Sequence, residues 1–164
     1  MQYAYKTYQA YLDHQADKAL RTESRTLRRL DLIKYEAAIL RKATSFRTLL
    51  CIGARHLAEV EAFREAGFFA EGIDLVANRG ITVCDMSRMH ESKLITDKRP
   101  FRVCYMSHSL EHCLNVAGLC KSLDFIWACV LYIVVPVATH ATKWDCTIFP
   151  FMLPEGKPST IETT

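Results

Sequence analysis

The stretch Thr48-Leu-Leu-Cys-Ile-Gly-Ala-Arg-His56 constrains this chain more than any other. A short apolar run closed by a glycine predicts a buried strand. Leu57, Val60, Phe63 and Arg64 then recur at helical spacing, so a helix follows over His56 to Ala66. Phe69-Ala-Glu-Gly-Ile-Asp74 predicts a second strand ending in an acid about 20 residues beyond Gly53, the distance at which dinucleotide-type folds hold a ribose hydroxyl. Open α/β sheets bind ligands at the carboxyl ends of their strands, which points to the turn Gly53-Ala-Arg-His56 as the binding site.

The pattern continues along the chain. Strands are expected over Gly80 to Cys84, Phe101 to Met106 and Ile126 to Val135, with a helix within His108 to Leu123. Alternation of this kind requires a parallel sheet with helices on both faces and right-handed crossovers. The expected architecture is a three-layer α/β sandwich, mainly parallel, with strand order 3-2-1-4-5. Asp85 to Pro100, charged and aperiodic, reads as a long connection poorly suited to a core. The apolar run Phe125 to Ala138 is too short to span a bilayer and reads as a central buried strand.

Upstream, Tyr3 to Lys42 holds no Gly or Pro, and Tyr8, Leu12, Leu20, Leu27 and Leu30 fall near one stripe. Two helices or one bent helix are expected, with Thr22 and Ser24 as N-caps if the helix breaks. Arg21, Arg25, Arg28, Arg29 and Lys34 are placed on its outer face, which gives nucleic-acid binding weak support. Downstream, Trp144 to Phe149 reads as an edge strand in a shortened C-terminal part. One domain of 164 residues is therefore expected, with a helical cap (1–44), an α/β core (45–152) and a loose tail (153–164).

Composition narrows the setting. The formal charge of +3 is modest, and the N-terminus lacks the apolar core of a signal peptide. Seven cysteines form no CxxC pair. Several of them (Cys51, Cys84, Cys104, Cys129) lie on apolar strands and read as small buried hydrophobes in a reducing, cytoplasmic setting. No membrane partner is expected.

Leu-Cys-Ile-Gly-Ala-Arg55, Glu59-Val60 and Gly72-Ile-Asp-Leu75 resemble motifs I and II of the class I S-adenosylmethionine (SAM) dependent methyltransferases, in particular the small, type 11-like members. Val83-Cys-Asp-Met86 is similar to the acidic end of their third strand. Val103 to Met106 with Ser107-His-Ser-Leu-Glu-His112 is similar to their fourth strand and its sequel. The resemblance covers roughly Thr48 to Pro136, and motif I departs from the family in lacking its second and third glycines. It implies a methyltransferase that takes SAM as cofactor and passes its methyl group to an acceptor the sequence does not identify.

The same resemblance implies roles for named residues. Cys51, Gly53 and Ala54 form the turn, Arg55 meets the methionine carboxylate, Asp74 with Leu75 holds the ribose, and Asp85 with Met86 meets the adenine. Ser107 and His108 line the space toward the acceptor. Tyr8 to Lys18 resembles a helical extension found in some small methyltransferases, from which Tyr11, Gln15 and Lys18 would lie over the cofactor. His108, Glu111 and His112 are the titratable candidates for catalysis, beside the alternative that they cap or pack a helix. Although His108 and His112 share a helical face, no second ligand pair stands at metal spacing, and no metal is assigned. Two rival readings stay open: a SAM-binding regulatory module without catalysis, and a nicotinamide-dependent oxidoreductase, against which the missing GxGxxG counts.

Overall fold

A computed structural model describes residues 7–98 and 100–135, with backbone alone over 18–28. Its sheet holds five parallel strands in the order β3-β2-β1-β4-β5: β1 (Thr48–Ile52), β2 (Phe69–Asp74), β3 (Thr82–Val83), β4 (Val103–Ser107) and β5 (Val130–Val134). Alternation along the central strands explains the layers, since successive side chains point to opposite faces. Leu49 and Cys51 of β1, with Val103 and Tyr105 of β4, pack with helices α1 (Tyr8–Ala43) and α2 (Leu57–Glu65). Leu50, Ile52, Cys104 and Met106 pack on the other face, under the 3-10 segment Met86–Glu91, α3 (Lys93–Thr96) and α4 (Val116–Phe125). The chain thus has the expected three-layer, Rossmann-like architecture with an N-terminal helical cap.

Several local expectations change. The N-terminal segment is one continuous helix, α1, with no break at Thr22 or Ser24; it starts where the Thr7 side chain accepts the Ala10 N–H. Arg29 is not on the outer face but donates to Ser107 Oγ at 2.8 Å, while Lys34 pairs with Glu65 at 3.1 Å. The Asp85–Pro100 connection does serve the core: Met86, Met89 and Ile95 are buried, recurring at the three- to six-residue intervals of short helical turns. Among the described residues β5 is an edge strand rather than a central one, only partly buried along most of its length. It starts later than expected because α4 runs on to Phe125 and a turn follows. Cys129, in that turn, is exposed, whereas Cys51, Cys84 and Cys104 are buried as expected. The expected strand Trp144 to Phe149 and the tail lie outside the described residues. No helix among the described residues is long and apolar enough to cross a membrane.

Candidate functional site

At the carboxyl ends of the strands, three loops converge. β1 ends at Gly53, whose φ of +78° suits glycine, and whose N–H, like that of Ala54, bonds to the Ile73 carbonyl at 2.8 and 3.0 Å. The turn is thereby tied to β2, one residue before Asp74. A Cβ added to Gly53 would meet Ser109 Oγ at 2.1 Å, so glycine is required by the approach of the loop after β4. His56 then caps α2 through Nδ1, accepting the Ala58 N–H at 3.1 Å.

The first turns of α1 lie across these loops. Tyr8, Tyr11 and Gln15 fall on one helical face at intervals of three and four. Each reaches a different loop: Tyr8 donates to Asp85 at 3.1 Å, Tyr11 to the His112 carbonyl at 3.4 Å, and Gln15 accepts from Arg55 at 3.3 Å. The result is an open cleft of about 410 Å³, solvent-open space included, strapped on one side by α1. Burial pushes the Tyr11 hydroxyl up to about 12, which keeps it a neutral donor.

The chain matches no family model, no curated protein and no solved structure.

Of the residues singled out in the sequence, Tyr11, Gln15, Gly53, Arg55, Asp74, Leu75, Met86, His108 and His112 line the cleft. Cys51 and Ala54 do not; they are buried in the core beneath α1 and α2. Ser107 is turned toward Arg29, and Ser109 lines the cleft in its place. Asp85 also stands outside the lining, its carboxylate accepting from Ser87 N–H (2.8 Å), Ser87 Oγ (2.7 Å) and Tyr8. The Lys18 side chain lies outside the described residues. Ile73 and Cys84 complete the lining; Cys84 ends one predicted strand and Ile73 is the last residue but one of another, which is the signal that would have found them.

Charge is concentrated on two walls. Asp74 accepts the N–H groups of Val76 (2.9 Å) and Leu75, yet burial outweighs these bonds and raises its carboxyl above the ordinary value. Behind the turn, burial holds Glu59 up to about 7 against the attraction of Arg29 and Arg55. Glu59 also accepts the Arg55 N–H, so it braces the turn from the α2 side. Sequence reasoning noted Glu59 only as part of a motif and missed its attraction to Arg29, because Arg29 is 30 positions away in sequence.

On the β4 wall, His108 takes a left-handed φ of +51°, a conformation that strains a residue with a side chain. Its Nδ1 lies 3.6 Å from Glu111 Oε1. Glu111 Oε2 is buried with no hydrogen-bond partner. Burial works to raise the Glu111 carboxyl, but His108, the Glu111 backbone N–H and the nearby His112 together outweigh it, leaving it below its ordinary value. Among the described residues no group of three potential metal ligands occurs.

Proposed function

We propose that this cleft binds SAM and that the chain is a SAM-dependent methyltransferase. The observation that carries the proposal is the pairing, in one cleft, of the Gly53 turn after β1 with the Asp74 carboxylate at the end of β2. The residues present fit such a ligand. Asp74 offers an acceptor to a pair of ribose hydroxyls, and Arg55 offers a guanidinium fork to a carboxylate. Ile73, Leu75 and Met86 supply apolar surface for an aromatic base.

When bound, SAM supplies an electrophilic methyl group. The chain's own task is then to orient an acceptor, exclude water and, where the acceptor carries a proton, remove it. Tyr11 and Gln15 narrow the opening, and His108, held by Glu111, is the group in the lining suited to take a proton. That histidine-carboxylate pair favours an enzyme over a regulatory module. Calorimetry with SAM, S-adenosylhomocysteine and NADH tests the ligand class. The adenosylsulfur compounds are expected to bind and NADH not; tighter binding of NADH than of S-adenosylhomocysteine would refute the proposal in favour of an oxidoreductase.

A further inference from the structure

The opposite end of the sheet, where the strands begin, carries exposed aromatic rings and a group of cations. Phe46 precedes β1, Phe69 opens β2, Arg102 precedes β4 and Trp127 lies ahead of β5. Phe69 is 75 % exposed and Trp127 56 %. The Arg102 guanidinium stands 5.9 Å from the Phe46 ring and 5.6 Å from the Trp127 ring, within the range of cation–π attraction. In strand order the row runs ring, ring, cation, ring across β2, β1, β4 and β5, each step being a strand spacing of about 4.8 Å.

Further positive charge borders this row. Arg41 and Lys42 end α1, and Arg47 enters β1. Arg47 is drawn below its ordinary value by desolvation and by Arg41, which places those two cations near each other. Arg41 also lies over Gly67, 3.5 Å from where a Cβ would stand, and the Arg47 carbonyl accepts the Phe69 N–H at 2.7 Å. Among the described residues none of these four cations forms an ion pair. The acids on neighbouring elements are engaged elsewhere: Glu65 by Lys34, Glu61 by Arg64 and Glu71 by Lys98. Asp97 and Asp124 are the remaining acids nearby in sequence.

One detail makes this edge more than a chance cluster. Helices α2 and α4 end in the same motif: Gly67 N–H bonds the Arg64 carbonyl and Phe68 N–H the Phe63 carbonyl, just as Trp127 bonds Asp124 and Ala128 bonds Leu123. This closure puts the residue after the cap in the left-handed region, where glycine is favoured. Gly67 takes φ +93° at the end of α2, but α4 holds Trp127 there at φ +62°. A strained position thus projects a large ring into solvent, beside Arg102.

We propose that this edge, with Phe46, Phe69 and Trp127 as stacking platforms and Arg41, Arg47 and Arg102 as phosphate contacts, binds a single nucleic acid strand. Flat rings with one cation among them and others at their border offer stacking faces to bases and positive charge to the phosphates between them. Neither stacking nor phosphate contact reads the 2′-hydroxyl, so RNA and DNA strands both fit. A lipid surface is less well matched, because the rings stand along a sheet edge with Arg102 among them rather than gathered on the apolar face of an amphipathic helix.

The test is fluorescence anisotropy of the full chain with 15-nucleotide oligo-dT and oligo-rU, a 15-base-pair duplex and phosphatidylserine vesicles as separate arms. Both single strands are expected to bind more tightly than the duplex. If these three phosphate contacts are made, raising salt from 50 to 200 mM should weaken binding by roughly 20-fold. Trp127→Gly relieves the backbone strain, so the variant is expected to keep or slightly raise its thermal midpoint and yet lose about tenfold in affinity; Arg102→Gln should lose affinity as well. Asp74→Ala should leave oligonucleotide binding unchanged. Failure of both single strands to bind, equal binding by Trp127→Gly and the parent, or binding to the vesicles alone would each overturn the proposal.

Discussion

Among the described residues the two ends of the sheet each hold one non-glycine residue in the left-handed region, His108 at the carboxyl end and Trp127 at the amino end. Their surroundings differ. His108 lines the cleft and faces Glu111, on the side of the sheet that the first turns of α1 cross. Trp127 stands out in solvent, its ring engaged by the Arg102 guanidinium. At one end the fold builds a concave site with opposed charges; at the other it builds a flat, positively charged row. Strain alone therefore does not mark a cleft, and what surrounds the strained residue decides what the position can do.

Glycines sharpen this contrast with the largest effect. Gly53→Val puts a branched side chain at φ +78° and drives Cβ into Ser109, so left-handed strain and overpacking add to about 2–5 kcal/mol. Gly67→Ala at the amino end meets only Arg41 Nε at 3.5 Å and should lose the strain term alone, about 1–2 kcal/mol. Chemical denaturation checks both. Equal losses would mean that the loop after β4 moves aside freely and that the cleft is not packed as described. The loss of SAM binding expected in Gly53→Val follows from displacement of that loop, rather than from a ligand meeting the new side chain.

A pH series isolates the carboxyl end. Glu59 is held at about 7 by burial, against an ordinary value of 4.5. Between these values the unfolded chain releases its proton while the folded chain keeps it. The stabilisation is complete below pH 4.5, declines above it, and is gone once pH has risen through about 7. At about 1.4 kcal/mol per pH unit the change amounts to roughly 3 kcal/mol, and Asp74, also raised by burial, acts in the same direction. Glu59→Gln should flatten the decline between pH 4.5 and 8. Parallel profiles for variant and parent would show that Glu59 ionises freely in the folded protein.

Asp74→Ala addresses the ligand. A charged acceptor contributes about 1.5–3 kcal/mol to hydrogen bonds of this kind, so SAM and S-adenosylhomocysteine should both weaken by roughly 10- to 100-fold. Asp85→Ala should have a smaller effect, because its carboxylate is occupied by Ser87 and Tyr8 outside the lining. If the Asp85 variant proves the more damaging in calorimetry, the ribose lies elsewhere and the orientation proposed for the ligand is wrong.

The central strands were legible because their signals are local. An apolar run with a glycine defines β1, and β2 runs from Phe69 to Asp74 as its sequence suggests, so the cleft's β1 and β2 walls could be read directly. Segments that become core only through distant partners were not legible. Met86, Met89 and Ile95 sit among charges and show their apolar side only once α4 packs over them. Arg29 looked like one more surface cation until the path of α1 brought it to Ser107, 78 positions away. The amino-end row was invisible for the same reason: Phe46, Phe69, Arg102 and Trp127 come from the entries of four separate strands and are gathered only by the sheet order.

Replacing both strained residues with glycine is the finest test of the difference between the two ends. At Trp127 a glycine removes left-handed strain of about 1–2 kcal/mol and forfeits a cation–π contact of about 0.5–1 kcal/mol, so a small net gain in stability is expected. At His108 the same strain relief is opposed by the loss of the imidazole beside Glu111. That carboxylate already has one oxygen without a partner, and leaving the other unmatched costs about 1–3 kcal/mol. His108→Gly should therefore fall level with or below the parent in denaturant midpoint, while Trp127→Gly rises. A gain at both positions would show that Glu111 does not depend on His108, and with it would go the argument that the pair is held ready to accept a proton.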